Sequence, residues 1–147
     1  MLYLIGLGLN ENGISKEGLE IVKTCKSIYL ENYTVELPYS IESIEELVGK
    51  KVKIADRGFV ENLEFVDESM KKNVALLVYG DPLTATTHII ILDECLKSGV
   101  KCKVIHSASV IDAIAETGLQ VYKFGKITSM PAWKKNFTPD SFIETIL

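Results

Sequence analysis

Cysteine and histidine are scarce in this chain, with Cys25, Cys95, Cys102, His88 and His106 the only examples among 147 residues. No two cysteines form a C-x-x-C pair, and three cannot all be paired. A disulfide framework is therefore not expected, and a reducing, cytoplasmic setting fits. Each thiol is expected to pack as a small apolar group. Two histidines and scattered cysteines do not make a zinc site, so no metal ligand is assigned. Basic residues are not in excess. A net charge of −4 leaves no positive footprint for nucleic acid and speaks against binding an anionic membrane surface. Long apolar runs are missing too. The longest, Val74–Tyr79 and Ile89–Leu92, fall far short of the roughly 20 residues of a membrane span. The N-terminus lacks a basic stretch followed by a long apolar one, so no signal peptide is expected. Internal repeats and low-complexity segments are also lacking.

What is present is the composition of a globular domain, 47% hydrophobic and 24% charged, on a chain long enough to bury a core without staples. The positive mean hydropathy fits a well-filled core or an apolar surface covered by a partner. Short apolar runs alternate with helical spacing along the sequence. Leu2–Ile5 reads as a buried strand, and Ser15 as the N-cap of a helix carrying Leu19, Ile21, Val22 and Cys25. Ser27–Leu30 is the next strand. A helix over Ile41–Val48 is stopped by Gly49. Lys51–Ala55 predicts a third strand, and Phe59–Lys72 a helix burying Val60, Leu63, Val66 and Met70. Val74–Tyr79 is a strand buried on both faces. A helix follows from Leu83 or Thr86 to Leu96, then a strand over Val100–Ile105 and a helix over Ser109–Glu116 ending at Gly118. Lys126–Ser129 allows another strand, and Thr138-Pro139 opens a last helix. This rhythm predicts an α/β fold: a mainly parallel sheet, right-handed crossovers, and helices on both faces. The apolar stripe of the last helix runs to Leu147 without a stop signal. The chain is therefore expected to be the front part of something longer.

Ligands of open parallel sheets bind beyond the carboxyl ends of the strands, and three loops there are unusual. Gly6-Leu7-Gly8-Leu9-Asn10 begins like the dinucleotide fingerprint G-x-G-x-x-G, but the last glycine position is Glu11. The fingerprint fails, and a pyrophosphate against a helix N-terminus is not expected. Two readings of these glycines stand: a tight turn, or close backbone approach to a ligand without phosphate. Gly80-Asp81-Pro82-Leu83-Thr84-Ala85-Thr86-Thr87-His88 leaves the central strand sharply, with Gly80 able to take positive φ. Asp81 could do no more than cap a helix beginning at Pro82, or it could present its carboxylate to a ligand. Three threonines in four residues are poor helix formers and fit site chemistry better. His88 fits a packed histidine better than a base. In His106-Ser107-Ala108-Ser109-Val110, small residues can pack against a planar group, while Ser109 can also serve as an N-cap. His106 is a weak catalytic candidate. Together the loops describe a pocket of small residues and backbone with one acid and few bases. That suits binding more than hydrolysis, and no catalytic residue is assigned.

The segments M-L-Y-L-I-G-L-G-L, I-Y-L-E-N-Y, Y-G-D-P-L-T-A-T-T-H, V-I-H-S-A-S and G-L-Q-V-Y-K-F-G-K run along nearly the whole chain. Together they resemble the diphthine synthases of the tetrapyrrole methylase superfamily. G-D-P alone marks the superfamily, whereas G-D-P with A-T-T-H and Y-K-F-G is narrower. The resemblance implies an S-adenosylmethionine-dependent methyltransferase, with S-adenosylhomocysteine as product. Its substrate would be the amino group of a modified histidine on translation elongation factor 2, in diphthamide synthesis. By the same resemblance, Leu9, Asp81, Thr84, Ser109 and Val110 would contact the cofactor. Residues 1–147 would be the N-terminal cofactor-binding domain, with the family's second domain outside this chain, and the enzyme would be a cytoplasmic homodimer. The alternatives are a methyltransferase acting on a corrin precursor, and a non-catalytic piece that dimerises or binds cofactor weakly.

Overall fold

Five parallel strands form one sheet: β1 (Leu2–Gly6), β2 (Ser27–Glu31), β3 (Lys53–Ala55), β4 (Val74–Val78) and β5 (Cys102–Ile105). Their order is β3-β2-β4-β1-β5. The structure, a computed structural model, describes residues 1–147. β1 is paired with both β4 and β5, Leu4 lying beside Leu76 on one side and Val104 on the other. β4 lies between β2 and β1, and all five of its residues are buried, as its apolar run requires of a strand covered on both faces.

The period of two along the strands sorts these residues into two cores. Leu4, Leu76 and Val78 pack with Phe65, Val66, Ile91 and Cys95 on one face. Ile5, Ala75 and Leu77 pack with Val22, Cys25, Ile44 and Val48 on the other. The helices that supply these side chains are α1 (Lys16–Thr24), α2 (Ile41–Val48), α3 (Arg57–Glu61), α4 (Glu64–Lys71) and α5 (Ile89–Lys97). Ser15 caps α1, its Oγ accepting the Gly18 N–H at 3.0 Å. Ser40 caps α2 in the same way, through the Ser43 N–H at 3.2 Å, and Gly49 ends it in the left-handed conformation at φ 69°. Cys25 and Cys95 are buried, Cys102 is half-buried, and all three thiols are free.

Four expectations are corrected. The helix over Phe59–Lys72 is two helices, α3 and α4, broken at Leu63 with φ 59°. The break brings Phe65 into the core at 1% exposure and leaves Met70 55% exposed. Phe59 stacks between Tyr29 and Phe65, with ring centroids at 4.7 and 5.7 Å. Aromatic packing has thus overridden a continuous helical stripe. The helix after β4 starts at Ile89, not at Leu83 or Thr86, because Ala85 turns left-handed at φ 56°. Side chains also claim the Pro82 carbonyl, with Thr86 Oγ1 at 2.7 Å and His88 Nδ1 at 3.1 Å. The helix over Ser109–Glu116 is helical only over α6 (Val110–Ala113), then tightens into a 3-10 turn, Ile114–Thr117, before Gly118.

The last correction concerns the C-terminal residues. The chain divides into two units, Met1–Ala113 and Ile114–Leu147. In the second, Lys126–Ser129 is not a strand and Thr138-Pro139 opens no helix. The helix there, α7, is the single turn Ile143–Ile146, shorter than a helix that is stable without tertiary packing. Lys134 and Phe137 close a tight antiparallel bridge, and the Trp133 indole donates to the Pro139 carbonyl at 2.9 Å.

Candidate functional site

Gly6 ends β1 where three loops converge. A Cβ at this position would stand 2.6 Å from the Gly80 carbonyl oxygen and 2.8 Å from the Ser107 Cβ, so only glycine allows the three chains to meet. Two residues on, Gly8 and Gly80 exchange N–H···O bonds of 3.2 and 3.0 Å, each with positive φ. The glycines of the first loop therefore serve the approach of protein backbone to protein backbone. The Ser107 hydroxyl donates to the Gly13 carbonyl at 3.0 Å, and the Tyr79 hydroxyl donates to the Leu9 carbonyl at 3.0 Å.

Asp81 sits at the centre of this junction, 8% exposed. Its Oδ1 accepts the Leu83 N–H at 3.0 Å and the Thr84 hydroxyl at 3.1 Å. Its Oδ2 accepts from His106 Nδ1 at 2.7 Å and from the Ser107 N–H at 3.3 Å. Burial works against the charge, but the bonds from Leu83, His106, Ser107 and Thr84 outweigh it and hold this carboxyl below its ordinary value. Four donors fill the acceptor capacity of one carboxylate. Asp81 thus ties the loop after β4 to the loop after β5. This pairing with His106, side chains 25 residues apart, has no signal in local sequence. Nor does the placement of His88, 1% exposed, which fastens the Thr84–Thr87 stretch to Pro82 through the bond described above.

The loops flank a cleft beyond the carboxyl ends of β1, β2, β4 and β5, bordered by Leu9, Asp81, Thr84, Ser109 and Val110 among others. All five residues singled out in the sequence therefore meet at one cavity. Ala85 and Thr86 of the threonine-rich loop also border it, and so do residues that sequence reasoning passed over: Glu31, Thr34, Val35 and Tyr79. Glu31, at the end of β2, was legible only as part of I-Y-L-E-N-Y. The cavity holds about 100 Å³, below the roughly 300–1,000 Å³ of a small-molecule site. These residues form a wall rather than an enclosure. No lysine, arginine or histidine borders it, and its charged members are the acids Glu31 and Asp81. Such a lining disfavours phosphate and suits a neutral or cationic ligand. Ser109 is both a border residue and a cap, its Oγ accepting the Ile111 N–H at 3.2 Å.

The sequence matches the family of tetrapyrrole (corrin/porphyrin) methylases over residues 1–143. The chain belongs to that family. The diphthine methyl ester synthase of Schizosaccharomyces pombe is 44% identical to this chain over 99% of the chain and 53% of its own length. The diphthine synthase of Methanothermobacter thermautotrophicus is 43% identical over 96% of the chain and 55% of its own length. The crystal structure of an Entamoeba histolytica protein, proposed to be a diphthine synthase, superposes with a TM-score of 0.84 at 44% identity. It covers 99% of this chain and 56% of that one. The chain therefore spans about half the length of the relatives it matches.

Proposed function

We propose that this chain is the front, cofactor-binding domain of an S-adenosylmethionine-dependent methyltransferase of the diphthine synthase type. It would act on the amino group of the modified histidine of translation elongation factor 2. The observation that carries the reading is the cation-free cleft, bordered by two carboxylates and small residues, at the carboxyl ends of the parallel strands. The names and identities of the relatives support it.

Leu9, Thr84, Ser109 and Val110 would line the cofactor, and its fit rests on the donor set. Leu9, Val35 and Val110 offer apolar surface, Thr84 and Ser109 offer hydroxyls, and nothing basic calls for phosphate. When bound, S-adenosylmethionine supplies a methyl group already activated on a sulfonium. The work left to this chain is alignment and exclusion of water, which can lower a barrier by about 7–11 kcal/mol. Asp81 serves by holding the two loops in register, and no general base is assigned. A second domain would complete the cleft, and a cytoplasmic homodimer belongs to the same reading.

Calorimetric titration of the 147-residue chain with S-adenosylhomocysteine is the first test. Binding is expected, weaker than that of a two-domain form, with no binding of ATP. Preference for ATP, or failure to bind S-adenosylhomocysteine in either form, would overturn the cofactor assignment. Methyl transfer by the two-domain form to a corrin precursor, and not to elongation factor 2, would overturn the substrate assignment.

A further inference from the structure

Glu31 is 3% exposed, yet it has no ion-pair partner in the chain. Its Oε1 accepts the N–H groups of Tyr33 and Thr34, each at 2.7 Å. These bonds fix the carboxylate at the end of β2. No side chain or backbone group of the protein donates to Oε2, and the residue borders the cleft. Although the residue as a whole is buried, Oε2 is not sealed off from solvent, and it is left available to a ligand of the cleft. Asp81, the other acid of the cleft, has its acceptor capacity filled by the chain. Glu31 therefore carries the anionic acceptor that remains free.

Its place in the sheet decides which ligand group it meets. Leu9, Thr84 and Ser109 lie on loops following β1, β4 and β5, on one side of the sheet order. Glu31 ends β2, on the other side of β4. There the cleft continues into an open groove, since Thr34, Ala85 and Thr86 border both. The groove carries Tyr33 and Arg57, the guanidinium 5.1 Å from the Tyr33 ring centre. A macromolecular acceptor would reach the cleft from this open side. A carboxylate attracts an ammonium and repels another carboxylate, and it can accept an N–H of the neutral amine that attacks the methyl group. We infer that Glu31 receives the nitrogen of the methyl acceptor, holding it through Oε2 at the mouth of the cleft. This rests on the function proposed above.

The test is calorimetry of the protein and two variants with two probes. One is S-adenosylhomocysteine, which has no cation at sulfur. The other is sinefungin, whose ammonium stands in place of the transferable methyl, where the acceptor nitrogen must arrive. Glu31→Gln keeps an oxygen for the Tyr33 and Thr34 N–H groups, so the loop holds. It is expected to bind S-adenosylhomocysteine within twofold of the unaltered protein and sinefungin at least fivefold more weakly. Glu31→Asp keeps the charge and most of the sinefungin affinity. Equal loss of both probes in Glu31→Gln, or loss of neither, overturns the assignment of Glu31. If the unaltered protein binds neither probe, the cofactor reading fails instead, and the assignment of Glu31 falls with it.

Discussion

Replacing Asp81 by alanine removes one acceptor from four donors. Hydrogen bonds to a charged acceptor are worth about 1.5–3 kcal/mol each, but the four do not add. His106 is 68% exposed, and both it and the Thr84 hydroxyl can turn to water, so their share is small. The backbone N–H groups of Leu83 and Ser107 cannot turn away, and each is left without its partner. On that basis Asp81→Ala should lower unfolding stability by about 2–4 kcal/mol. Asp81→Asn, which keeps one acceptor oxygen, should cost about half as much. Urea denaturation of the 147-residue chain measures this through the midpoint at constant m-value. Because the same carboxylate sets the spacing of the loops around the cleft, S-adenosylhomocysteine affinity should fall at least tenfold in parallel. Full stability with lost binding would mean that the carboxylate meets the ligand directly. Full stability with unchanged binding would remove Asp81 from the site.

Burial opposes the charge on Glu68 as well as Asp81, but bonds from Lys72, Tyr29 and Ser27 to Glu68 outweigh it, and both carboxyls titrate below their ordinary values. The unfolded chain therefore takes up protons first. The stabilisation is complete above the unfolded value of about 4 and drains away as pH falls through the folded values. The urea midpoint should hold steady from neutrality to mild acidity and then drop; a rise on acidification would contradict this. Gly6→Ala should destabilise by about 1–3 kcal/mol, since its methyl would overlap backbone at the loop junction, and should abolish ligand binding; a normal affinity would show that the junction can shift. Leu77→Ala, at a site with 0% exposure, should cost about 2–5 kcal/mol. Met70→Ala, at 55% exposure, should stay within about 0.5 kcal/mol. Comparable losses for the two would restore the single helix expected over Phe59–Lys72.

The parallel sheet with helices on both faces was legible in the sequence because it rests on local rules. Apolar or alternating runs mark the five strands, helical stripes fall between them, and Ser15 and Gly49 punctuate α1 and α2. The loops after β1, β4 and β5 were legible for the same reason, since parallel strands put their loops at one end. Boundaries failed where long-range packing competed with local preference. Phe65 seeking the core split a helix at Leu63, and the bonds onto Pro82 delayed the start of α5. Only the tertiary structure could decide which atoms meet. Strand order inserts β4 between β2 and β1 and brings Glu31 to the same cleft as Asp81, 50 positions away in the chain. It also shows that Asp81 is filled by His106 and its neighbours while an oxygen of Glu31 stays free. Spacing along a chain reports what is periodic, whereas the satisfaction of a buried carboxylate depends on donors from distant segments.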